Sequence, residues 1–433
     1  MMLDHANAGF GRSLPDHRCK TWGDVPMMVI GNPDNRRTED MQQARRRCGL
    51  KPAIVLPYAR LLQTWRSGGS LADAAGQEWR EPRGDGPVLV RLDAPGEDWT
   101  VERELIALGA AEGPGQEKDS NRDPAGSMFI AAEDALSMEY VWGRIYAPSQ
   151  WFRGWKACLQ RLDEEVRELW PSARFLNDPK DIAIMFDKRK CQRHLGDHGI
   201  SVPPVLPQSE HVRSYAGLRA AMLDSGMHRV FVKLASGSGA SGVVAYQLNP
   251  RTGAEIAVTT VGMERSAGET FFYNEGRLRR YTSGEDIETL LDWLCAEGAR
   301  IERWMPKATL EGRSYDVRQL VAGGLAGHAI VRLSRTPITN LHLRNERMLP
   351  KAAGLSEARM ERVRTAAMAT MSAFPNSWSA GIDVMLSGSE PRAYVLDVNP
   401  FGDLLYRVEW NGLGTYEWEM ELLRKEPLHQ CLI

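Results

Sequence analysis

Two apolar runs near the C-terminal end, "SAGIDVML" (379–386) and "YVLDVNPFGD" (394–403), restrict the fold more than any other part of the chain. Both have the β-branched and aromatic make-up of buried strands, yet each encloses a carboxylate, Asp383 and Asp397. A carboxylate rarely sits in such surroundings without a partner. Side chains at i and i+2 of a strand share a face, so Asn399 stands beside Asp397 before Pro400 and Gly402 break the ladder. Such a strand end is either a hydrogen-bonded turn or a hard-metal site. If strands 379–386 and 392–399 pair as a hairpin, Asp383, Asp397 and Asn399 converge as two anionic oxygen ligands and one neutral one. That set suits Mg²⁺, which shares its shell with waters and phosphates.

The rest of the chain supplies the frame. Residues 25–57 read as strand, polar loop, helix (38–48) and strand (53–57), a βαβ beginning, and another strand follows at 87–93. Residues 111–127, rich in Gly, Pro, Asn and Asp, read as a surface loop. Helical periodicity returns at 156–169, 285–297 and 356–373, with strands expected near 300–305, 315–322 and 326–333. Strand runs interrupted by single helices predict an α+β class, with antiparallel sheets carrying helices on one side, behind an α/β N-terminal domain. The expected division is a flexible leader over 1–20, the α/β domain over 21–155 and a larger region over 156–433.

Charge narrows the partners. With 54 basic and 56 acidic residues the net charge is −2, which offers no general attraction to nucleic acid or a membrane surface. No apolar stretch approaches the ~20 residues of a membrane span. Six cysteines lie far apart without a CxxC pair, so reduced thiols and a cytoplasmic location are expected.

Several motifs carry chemistry. "RVFVKLASGSGASGVVAY" (229–246) places Lys233 at the end of a strand, ahead of a loop holding Gly237, Ser238, Gly239 and Gly242. Small residues let backbone N–H groups approach a polyphosphate, and Lys233 adds a point charge; the plain reading is a hairpin tip. No GK[ST] opens a helix there and strands follow, which excludes a Walker loop and a Rossmann turn. Lys188 opens a helix in "MFDKRKCQRHLGDHG". "IERWMPK" (301–307) is a short strand halted by Pro306, whose backbone could read a purine edge between Trp304 and Met305, although such runs are more often plain core. "RSYDVRQ" sets Asp316 and Arg318 at i and i+2, the spacing of a structural ion pair. "VRLSRTPITNLHLRNER" adds Arg332, Arg335, Asn340, His342 and Arg344, a group suited to an anionic ligand.

In this order, "DK", "VKLASGSGASGVV", "ERWMP", "YDVR", "TNLH", "GIDV" and "VLDVNPFG" resemble the ATP-grasp superfamily, and within it the glutathione-synthetase-like and RimK-type ligases, over roughly 180–410. The resemblance implies an ATP-grasp fold, with a central lid subdomain at about 200–305 and a C-terminal subdomain at about 306–433. It implies ATP and Mg²⁺ as cofactors and amide-bond formation between a carboxylate and an amine through an acyl phosphate. The carboxylate and amine would be small molecules or peptides, and a homodimer is allowed. It assigns the nucleotide phosphates to Lys188 and Lys233, the lid to the Gly-rich loop, and the surroundings of the base to Arg303, Trp304 and Met305. Asp316 falls near the ribose, Arg318 and Asn340 face the γ-phosphate and acyl group, and Asp383, Asp397 and Asn399 hold Mg²⁺. The middle metal ligand is often Glu, where this chain has Asp397, and the Arg that RimK-type enzymes place two residues before the Asn is Ile338 here. A kinase passing phosphate to a hydroxyl, and a non-catalytic nucleotide-binding protein, are the alternatives.

Three further features have plainer readings. Arg91, Asp93 and Glu97 surround a Pro-Gly turn that could touch substrate but reads first as a turn and helix cap. Cys191, His194 and His198 share a helix face at a spacing that could bind Zn²⁺, though a solvated face explains them better. The aromatic cluster "YVWGRIYAPSQWFRGW" (140–155) is expected to pack domains together or to line a pocket for an apolar substrate.

Overall fold

The computed structural model describes residues 21–76, 86–111, 128–237, 241–339, 346–388 and 391–428. The leader over 1–20 and most of the 111–127 stretch lie outside the described residues. Three sheets organise the chain. Strands β1 (Met27–Gly31), β2 (Ile54–Pro57), β3 (Val88–Leu92) and β4 (Ala173–Phe175) form a parallel sheet in the order β2-β1-β3-β4. Both faces of β1 are covered: Met28 and Ile30 join one core with Trp155 and Leu105, while Met27 and Val29 join another with Met41 and Met420. A parallel strand buried on both sides reads as a continuous apolar run, which is what "VPMMVIG" is.

The border at 155 falls inside a helix, Pro148–Leu169, and the sheet gains its fourth strand beyond it. That strand is three residues long, too short for an alternation signal. The helix packs against Trp99–Ala111 where Gly154 meets Gly109; a Cβ on Gly154 would collide with the Leu105 carbonyl oxygen. The chain's end also returns here: the helix Thr415–Leu423 lies on Arg36–Arg47, and Trp22 N–H donates to the Glu426 carbonyl at 3.0 Å.

Strands β5 (Arg229–Leu234), β6 (Val243–Leu248), β7 (Glu255–Ser266), β8 (Glu269–Tyr281) and β9 (Ala299–Arg303) make an antiparallel sheet in the order β8-β7-β6-β5-β9. Val230, Val232 and Leu234 of β5 join Leu218, Leu290 and Leu294, from the helices Tyr215–Ser225 and Gly284–Ala296, in one core. Strand alternation therefore turns Phe231 and Lys233 to the other face.

The third sheet, also antiparallel, holds β10 (Thr309–Leu310), β11 (Arg313–Ala322), β12 (Leu325–Ser334), β13 (Glu346–Met348), β14 (Ser379–Ser387) and β15 (Arg392–Asn399). Its order is β13-β12-β11-β14-β15, with β10 beside β11. Val317, Ile382, Val384 and Val398 pack with Val363 and Ala367 of the helix Glu357–Ser372. The opposite face carries Asp316, Arg318, Asp383, Asp397 and Asn399. The architecture is α+β, antiparallel sheets behind a parallel α/β unit. Among the described residues no helix is long and apolar enough to cross a membrane. Cys48, Cys158, Cys191 and Cys295 are free thiols.

Candidate active site

A cavity of about 1080 Å³ lies between the polar face of the third sheet, the lysine-bearing face of the second and the carboxyl ends of the first sheet's strands. The expected hairpin forms, and in its register Asp383 stands directly opposite Asp397 and Gly381 opposite Asn399. Asn399 Nδ2 donates to the Gly381 carbonyl at 3.0 Å, which fixes the amide. The two carboxylates are held apart electrostatically. Asp397 accepts from Lys188 Nζ at 2.7 Å, while Asp383 Oδ1 lies 2.6 Å from Arg318 Nε and 3.0 Å from an Arg332 guanidinium nitrogen. Burial would raise Asp397, but the Lys188 ammonium, with Lys233 and Arg318 beyond it, holds its carboxyl below the usual range. Burial wins at Asp383, aided by Asp316 and Asp397, and raises it despite Arg318 and Arg332.

Lys188 reaches this point because Asp187 caps its helix, accepting from the backbone N–H of Arg189 and Lys190. The Lys188 N–H donates to the Ala235 carbonyl at 2.8 Å, tying the helix start to the chain just past Lys233. Lys233 itself pairs with the buried Glu302 of β9. Glu302 also accepts from Gln192 Nε2 at 3.1 Å. Both ammonium groups therefore face the cavity from neighbouring segments, each on a carboxylate.

Behind them lies a buried charge network. Asp316, 1% exposed, accepts from Arg332 Nε at 2.7 Å, Lys307 Nζ at 2.9 Å and the Thr339 hydroxyl. Burial would raise its carboxyl; the two cations and the hydroxyl hold it well below the usual range. The i, i+2 pair expected between Asp316 and Arg318 does not form. Asp316 stands opposite Arg332 and Arg318 opposite Asp383 in the strand registers, and directly opposed residues are nearer than i and i+2.

The cavity brings together Lys188, Lys233, Gly237, Arg303, Met305, Asp316, Arg318, Asp383, Asp397 and Asn399. Trp304 is not among its lining residues: it packs on Phe231 with ring centroids 5.5 Å apart and on the Arg229 guanidinium at 4.1 Å. The N–H groups of Arg303 and Trp304 donate to Pro204 and Arg229 carbonyls, at 2.8 and 3.0 Å, and so are not available to a base. Gly242 also lies off the cavity; its φ of +66° and the collision a Cβ would make with Leu234 mark it as a turn residue. Ser238, Gly239 and Asn340 lie outside the described residues, as do His342 and Arg344. Ile338 packs on Phe231 and Ala245 and brings no charge where the resemblance expects an Arg.

Three other expectations are redirected. Arg91 is 2% exposed and bound to Asp93 at 2.9 Å and Glu419 at 3.1 Å, an internal fastening. Cys191 is buried in the core with Val317 and Val398, and His194 Nε2 lies 2.7 Å from the Ala373 carbonyl. Of the aromatic cluster, Trp155 is core, whereas Tyr140, Tyr146 and Trp151 line the cavity. Glu302, Lys307 and Asp403 are cavity residues to which sequence reasoning gave no role. Glu302 and Lys307 stand within the quoted "IERWMPK", and strand alternation sets Glu302 opposite in facing to the buried Ile301.

Among the described residues no three His, Cys, Asp or Glu converge as a metal cage. Two carboxylates and one amide fit Mg²⁺ only where phosphate oxygens and waters complete the shell, and Lys188 and Lys233 sit where those phosphates would need counter-charge.

No model of a known protein family matches the chain, and no curated protein matches it. Among solved structures it is similar to D-cycloserine synthetase DcsG, at 13% identity over 92% of this chain and 98% of that one, with a TM-score of 0.49. It is similar to the ATP-grasp ligase PsnB complexed with minimal precursor, at 14% over 92% and 98%, TM-score 0.48. A third likeness is D-alanine–D-alanine ligase from Bacillus anthracis complexed with ATP, at 14% over 93% and 96%, TM-score 0.42. At TM-scores below 0.5 these likenesses carry no residue's role over, and the assignments made for this chain come from its own side chains.

Proposed function

We propose that the chain is an ATP-dependent carboxylate–amine ligase of ATP-grasp type, forming an amide through an acyl phosphate with release of ADP and phosphate. One observation carries the reading: Lys188 and Lys233, from two different segments, line one cavity with the opposed carboxylates Asp383 and Asp397, Lys188 already paired with Asp397. That is the charge pattern a metal-bound polyphosphate needs, cations for the phosphate oxygens and hard oxygen ligands for the metal.

Asp383, Asp397 and Asn399 would hold Mg²⁺, which supplies charge neutralisation at the phosphates. The chain's own residues do the rest. Lys188 and Lys233 exchange their present carboxylate partners for phosphate oxygens, and Arg318, between Asp383 and Asp403, stands where charge grows on the transferred phosphoryl group. Arg303 and Met305 line the base end. The carboxylate oxygen of the acid substrate attacks the γ-phosphorus and ADP leaves; the amine nitrogen then attacks the acyl carbon, phosphate leaves and the amine gives up a proton. The cavity walls keep water from the acyl phosphate between those steps.

Incubation with ATP, Mg²⁺ and pooled amino acids, followed by mass spectrometry and a phosphate assay, tests this. The ligase reading expects a condensed product, with free phosphate whose release depends on the amine. A stable phosphorylated product without free phosphate would make the chain a kinase.

A further inference from the structure

The parallel sheet runs β2-β1-β3-β4, so the chain leaves β1 toward one side and β3 toward the other. Ligands of open parallel sheets bind in the crevice outside the strand ends where the order reverses in this way. Here that crevice opens into the cavity: Asn35, Arg36 and Arg37 after β1 and Ala94 to Glu97 after β3 line it. The helix Trp99–Ala111 that follows β3 turns Trp99, Glu102 and Ile106 toward the same space, at the i, i+3 and i+7 spacing of one face.

Glu102 is the unusual member. It is only partly accessible, and among the described residues it makes no ion pair. Burial raises its carboxyl to about 7, the Asp98 charge adds to the rise, and Trp151 lines the cavity with it. Trp99 and Tyr146 form the adjoining wall, with ring centroids 5.0 Å apart. Arg144 already occupies the Tyr146 ring, at 4.9 Å from its centroid, and the Phe271 ring, at 4.0 Å. A carboxylate facing a cavity with indole rings beside it and no ion pair is completed by a cation that the ligand brings.

We propose that Glu102, with the Trp99 and Trp151 rings, forms a subsite for an organic ammonium group carried on an apolar or aromatic body. Its meaning as the place of the amine co-substrate rests on the proposed function; the binding itself does not. The carboxylate takes the ammonium protons, the ring faces take the cation's field, and Ile106 and the indoles cover the carbon body. Elsewhere in the same cavity, Lys188, Lys233 and Arg318 suit anions instead.

Ligand-observed NMR titrations of the full chain with benzylammonium chloride and with benzyl alcohol test the subsite. The ammonium is expected to bind roughly tenfold more tightly than the alcohol of equal shape. Glu102→Gln should erase that preference and leave ADP binding unchanged. Equal binding of the two probes, no binding of the ammonium, or a preference that survives in Glu102→Gln would overturn the proposal. Should that variant fail to fold, the ratio of the two probes on the natural chain decides alone. An ADP titration on the same sample separates the two claims: ammonium preference without ADP binding removes the nucleotide reading and keeps the subsite, and ADP binding without preference does the reverse.

Discussion

Asp383 and Asp397 stand face to face in the register of β14 and β15, two carboxylates on one side of a hairpin. Like charges directly opposed destabilise a sheet unless cations lie between or beside them. In this protein Lys188 guards one carboxylate and Arg318 with Arg332 the other. A bound divalent cation would take over that duty and free Lys188 for phosphate.

The pairing of Lys233 with Glu302 gives the first prediction. Glu302 is 1% exposed and keeps only Arg300, 3.6 Å away, once Lys233→Met removes the nearer cation, a loss of about 1–3 kcal/mol. Glu302→Gln in the same chain should restore part of this, with a coupling of about 0.5–3 kcal/mol in a urea-unfolding double-mutant cycle. ADP affinity should nevertheless stay reduced in the double variant, by roughly tenfold or more, because the phosphate's counter-charge is gone. Calorimetry with ADP reads the second effect apart from the first.

Acid stability tests the buried network. Asp316 is held well below the usual carboxylate range by Arg332 and Lys307 against its burial. A depressed folded-state value means that its stabilisation is complete above the unfolded value, about 4, and is lost as the pH falls toward the folded one. Unfolding free energies measured from neutral pH downward should therefore fall on the acid side, and Asp316→Asn should flatten that limb while costing about 3–5 kcal/mol at neutral pH.

The helix contact at Gly154 predicts a purely structural effect. Gly154→Ala drives a methyl group into the Leu105 carbonyl, and overpacking of this kind costs about 1–3 kcal/mol. Thermal melts should show the loss, while nucleotide binding per folded molecule stays the same.

Much of the frame was legible in the sequence, for physical reasons. The hairpin runs 379–386 and 392–399 became Ser379–Ser387 and Arg392–Asn399, since short apolar runs bounded by turn residues read as strands. Lys188 and Lys233 share a cavity, and so do the carboxylates. What stayed hidden depends on register and on distant partners. Strand pairing, which no local pattern contains, gave Asp316 to Arg332 and Arg318 to Asp383. The three-residue β4 carries no alternation to read. Trp304 looked like a wall of the base site, yet Phe231, seventy-odd positions upstream in sequence, draws it away. Glu102 gave no signal in "WTVEREL", where it is one of two ordinary helix glutamates.

The most direct test of the central claim is a Mn²⁺ titration followed by electron paramagnetic resonance, with and without ADP, on the natural chain and on Asp397→Asn. Tight Mn²⁺ binding that needs ADP is expected in the natural chain, disappearing in Asp397→Asn while the variant's melting curve remains cooperative. Mn²⁺ and ADP binding together as well in Asp397→Asn as in the natural chain would contradict it.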